Sequence, residues 1–65
     1  MNNKLYETCA EVMRDELGTC AGSENDMKRM IEWFYNACRN ASIDPTDDVT
    51  GRTICRAIRN AYLLH

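Results

Sequence analysis

Between residues 3 and 17 apolar side chains return every three or four positions, at Leu5, Cys9, Val12, Met13 and Leu17, while Glu7, Glu11, Arg14 and Asp15 fall on the far side. That spacing predicts an amphipathic helix. Gly18 follows the last apolar position, where a left-handed residue commonly ends a helix, and "GTCAGS" reads as the loop after it. A second periodic stretch, "ENDMKRMIEWFYNACRNA", carries Met27, Met30, Ile31, Phe34, Cys38 and Ala41 on one stripe, with Trp33 and Tyr35 on opposite flanks. Ser23, three residues before Asp26, marks its start as a variant of the capping box, and Glu24 and Asp26 favour a helix N-terminus electrostatically.

The third stretch is harder to start than to finish. From Thr53 onward Ile54, Ala57, Ile58, Ala61 and Tyr62 share one side. Upstream, "SIDPTDDV" offers a cap and a first-turn proline at Asp44 and Pro45, and a second start at Asp48. Gly51 disfavours the earlier start by roughly 1 kcal/mol relative to alanine. The pattern as a whole predicts an all-α chain folded as one domain over residues 1–65. Its helices run over about 3–17, 24–41 and 48–64, joined as a small three-helix bundle.

Size changes that picture in one respect. Sixty-five residues bury only about 60% of the surface that the unfolded chain exposes, so such a core needs help from disulfides, a metal or association. The second helix has more apolar arc than its two neighbours in a bundle would cover, and the sequence therefore predicts a dimer. The start "MNNKLYETCAEVMRDE" gains charges before any apolar run reaches the length of a signal peptide or membrane span. A cytoplasmic protein without membrane contact is expected.

The four cysteines do not form a metal motif. They have 10, 17 and 16 residues between them, whereas strong zinc signals use close pairs. Cys9 and Cys38 lie within apolar stripes and Cys55 at the edge of one, as small core residues do; Cys20, in the first loop, is the thiol expected to react. The single histidine is His65, at a chain end that would hold a catalytic geometry poorly. Neither an enzyme nor a metal or other cofactor is expected. One carboxylate breaks the solvated pattern, because Glu16 falls on the helical wheel between Leu5 and Cys9. It either reaches water at the last turn or pairs with a basic residue of a neighbouring helix or of a bound protein.

Charge then supplies the functional expectation. Net charge is −2, divided as −4 over residues 1–26 and +2 over residues 27–65. Arg52, Arg56 and Arg59 fall within about 60° of one another on a wheel, with Leu63 in the same sector. Arginine and large aromatics carry most interface energy. Arg52, Arg56, Arg59, Leu63, Trp33 and Tyr35 are accordingly the expected partner-binding residues of a non-catalytic protein that binds and modulates another protein, as a regulator, adaptor or inhibitor, of the kind phages and mobile elements also carry. The alternative is a trihelical DNA-binding transcriptional regulator reading with its third helix. A pI of about 5.2, three carboxylates in "DPTDD" and a long second connection weigh against it.

Overall fold

The computed structural model describes residues 3–18 and 23–63; Cys20 and His65 lie outside the described residues. Three helices follow in order, α1 (Asn3–Leu17), α2 (Glu24–Ala41) and α3 (Gly51–Leu63), and each packs against the other two. The described residues include no strand. The molecule measures 27 × 24 × 18 Å.

The local signals at the helix ends act as their chemistry requires. Gly18 takes φ +55° just after α1, a conformation that a Cβ would oppose. Ser23 caps α2 through a complete capping box: its Oγ accepts from Asp26 N–H at 3.2 Å, and Asp26 Oδ2 accepts from Ser23 N–H at 3.4 Å. α2 ends at Ser42, whose φ of 54° is left-handed although it is not glycine.

α3 starts three residues later than the Asp48 start expected from the pattern, and its expected end at residue 64 lies outside the described residues. Two aspartates explain the delay. Asp44 Oδ1 accepts from Thr46 N–H and Oγ1 at 2.9 and 2.7 Å, and Asp47 Oδ1 accepts from Val49 N–H at 2.8 Å. Such side-chain bonds to nearby backbone compete with helix and hold the segment as turns. Gly51 follows because of space. A Cβ built there would overlap the Asp44 carbonyl oxygen and stand 2.6 Å from the Pro45 carbonyl carbon and oxygen.

All three helices contribute to one core, in which Phe34, Met13, Met30, Cys9, Cys38 and Cys55 are fully buried beside Val12, Leu17, Ile31 and Ile58. Sulfur is prominent in it. Cys55 Sγ lies 3.6 Å from Met13 Sδ, and Cys9 and Cys38 are buried in the same core. Burial pushes the Cys9 thiol up to about 12 and Cys55 up to about 11. At neutral pH these three side chains are therefore protonated packing groups and poor nucleophiles.

Candidate interaction surface

Glu16 organises the seam between α1 and α3. Its side chain is 12% exposed, and all three arginines of the α3 strip reach it. Arg52 Nη1 donates to Glu16 Oε1 at 3.2 Å, Arg56 Nε to Oε2 at 3.3 Å, and Arg59 Nη1 stands 3.7 Å from Oε2. Arg59 Nη1 also donates to the Glu16 backbone carbonyl at 3.2 Å, satisfying an acceptor in the last turn of α1 that the helix itself leaves open. Arg52 extends the cluster by donating to Asp15 Oδ2 at 3.0 Å and pairing with Asp48 at 3.6 Å.

Three cations thus meet three carboxylates, and the cluster is locally neutral. The hydrogen bond from Arg56, aided by that from Arg52 and opposed by burial, holds the Glu16 carboxyl below its ordinary range. Of the two sequence-level possibilities for Glu16, pairing with a neighbouring helix is the one observed. The arginine strip is therefore engaged within the fold; Arg56, about half exposed, keeps the most contact with water.

The other expected binding residues lie elsewhere. Tyr35 is half-buried and meets the α1 residue Tyr6 edge-on, with ring centroids 5.5 Å apart, and the Arg39 guanidinium lies 5.6 Å over its ring. Trp33 stands about 200° around α2 from Tyr35, on the line of Asp26. The Tyr62 hydroxyl donates to Asp26 Oδ1 at 2.6 Å, so that line belongs to the α3 side of α2. Trp33 is 50% exposed, and Leu63, in the sector of the arginines, is 43% exposed. Tyr35 and Trp33 thus lie on opposite flanks of α2, and the arginines line the α1–α3 seam.

Val49, 79% exposed at the α2–α3 turn, is not among the expected binding residues, since a start at Asp48 places it inside the first turn of a helix. A second omission is an open groove of about 750 Å³ between α1 and α2, floored by Tyr6, Ala10, Met27 and Ile31 and bordered by Arg14, Lys28 and Glu24. On a helical wheel Arg14 and Lys28 both fall on polar arcs, and no sequence signal says that they line one groove.

Among the described residues no three His, Cys, Asp or Glu side chains converge as metal ligands do, and no buried side-chain nitrogen or oxygen lacks a hydrogen-bond partner. None of the described helices is long and apolar enough to cross a membrane. No family model, curated protein or solved structure matches the chain.

Proposed function

We propose that this chain is a non-catalytic, cytoplasmic interaction domain that binds another protein and modulates it, in the manner of a regulator, adaptor or inhibitor. The observation that carries the reading is Trp33. Every other aromatic side chain of the described residues is at least partly buried, yet this indole is half exposed on the flank of a helix that buries Met30, Ile31, Phe34 and Cys38 in the core. Tryptophan is the residue type most enriched where interfaces concentrate their binding energy. Leu63 and Val49 add apolar surface at other points, and self-association through such surface belongs to the same reading.

The DNA-binding alternative draws no support from the arginines, because Glu16, Asp15 and Asp48 already neutralise them and phosphate binding depends on uncompensated charge. The test is a photo-crosslinking residue at the exposed Asn36, one turn from Trp33, in cells that produce the protein. Cross-linking to one identifiable protein, abolished by Trp33→Ala, is the expected result. Cross-links to nucleic acid, or yields indifferent to Trp33→Ala, would overturn the proposal.

A further inference from the structure

The cations of this molecule divide into two sets. Those of α3 are consumed by Glu16 and its neighbours, whereas Lys4, Arg14, Lys28, Arg29 and Arg39 have no carboxylate within ion-pair distance among the described residues. Three of these five gather toward one side of the molecule. Arg14 on α1 and Lys28 on α2 both line the α1–α2 groove, and Arg39 lies over Tyr35, whose ring meets Tyr6 of the groove floor. Glu24 is the single carboxylate among the lining residues. The floor between the cations is apolar, formed by Tyr6, Ala10, Met27 and Ile31.

From this arrangement we infer that the α1–α2 groove is the docking site for an acidic amphipathic helix of a partner protein. The inference rests on the protein-binding reading above and goes beyond it, placing a second contact surface on the side of α2 away from Trp33 and naming its partner chemistry. Apolar side chains of such a helix, recurring every three or four residues, would lie on Met27, Ile31 and Tyr6, and carboxylates flanking them would meet Arg14 on one side and Lys28 and Arg39 on the other. Charge selects this occupant. A basic segment would meet like charge on both rims, and a second copy of the chain would bring its own Arg14 and Lys28 against these. A groove floor of tyrosine and aliphatic groups also gives apolar side chains a place that a phosphate backbone cannot use.

The test uses synthetic helical peptides that share a leucine face and differ only in carrying glutamate, glutamine or lysine on the polar face, titrated into the isotopically labelled protein. The expected result is saturable binding of the glutamate peptide, with resonance shifts centred on Tyr6, Ala10, Met27 and Ile31 and affinity roughly tenfold or more above the lysine peptide. Salt should narrow the difference, and Arg14→Glu combined with Lys28→Glu should erase it while helicity persists, since both side chains are exposed. Equal affinity for all three peptides, or no saturation, would overturn the inference. So would an oligothymidylate probe giving the same shifts more tightly, or the same shifts on simple concentration of the free protein. Shifts centred on Trp33 would overturn the groove while sparing the protein-binding reading; failure of the peptides together with failure of the Asn36 cross-link would remove both.

Discussion

Replacing Gly51 with alanine isolates a feature of this fold that helix propensity would misjudge. Gly51 opens α3 with an ordinary negative φ, and by propensity alone alanine there should stabilise by up to about 1 kcal/mol. The added Cβ, however, would overlap the Asp44 carbonyl oxygen and stand 2.6 Å from two Pro45 backbone atoms. Neither neighbour is a side chain that can swing aside. Asp44 is tied to Thr46 at 2.9 and 2.7 Å and to Asp47 N–H at 3.1 Å, and Asp47 O holds Arg52 N–H at 2.8 Å. Relieving the clash means moving this turn away from α3 and loosening those bonds. Overpacking of this kind costs about 1–3 kcal/mol, and backbone atoms place it at the upper end, so the net loss after the propensity gain is about 1–2 kcal/mol. At about 4–8 °C per kcal/mol for a domain of this size, the melting temperature should fall by roughly 5–15 °C, read by circular dichroism with a urea titration to confirm an unchanged slope. Gly18→Ala is the control. It should cost about 1 kcal/mol through its left-handed φ alone, since nothing lies within 4 Å of its Cβ position. An alanine at 51 that leaves stability equal or higher would refute the close approach.

Further outcomes follow from the charge and thiol placements. Glu16→Ala should lower the melting temperature more than Glu11→Ala, because only the former leaves three arginines facing one another; equal effects would make the cluster energetically irrelevant. The lowered Glu16 carboxyl contributes stability that is fully present above its ordinary value of 4.5 and is lost as pH falls through the lower folded value. An acid limb of the stability curve below 4.5 should therefore shrink in Glu16→Gln. The thiols act in the opposite direction: with Cys9 near 12 and Cys55 near 11 against an ordinary 9.0, stability is full below pH 9 and declines above it, as the unfolded chain gives up protons that the folded one keeps. In native protein, Cys9, Cys38 and Cys55 should react with a thiol reagent only as fast as the chain unfolds, which mass spectrometry of quenched samples would show. Ser42→Gly should raise stability by about 0.5–1 kcal/mol by removing a left-handed non-glycine residue at the end of α2; no gain on a melt would mean that the serine conformation carries no strain.

What the sequence determined by itself was local and periodic. The stripe of Met30, Ile31, Phe34 and Cys38, the Ser23–Asp26 cap and the left-handed Gly18 all express interactions between residues a few positions apart, where chain geometry leaves few alternatives. The same locality explains why the pattern starts α3 three residues early: "DPTDDVTG" suits both a helix N-terminus and successive aspartate turns, and only the approach of Gly51 to Asp44 and Pro45 separates them. Glu16 was legible as an anomaly on the wheel, but not as the meeting point of Arg52, Arg56 and Arg59, because its partners are 36 to 43 residues away along the chain. Tertiary structure decided which cations are spent and which are free. A helical wheel places Arg56 and Lys28 alike on polar faces, and their difference arises only when one face meets a carboxylate of another helix and the other borders an open groove. Pairwise electrostatics depends on distance in space, which the order of residues does not specify beyond a turn or two of helix.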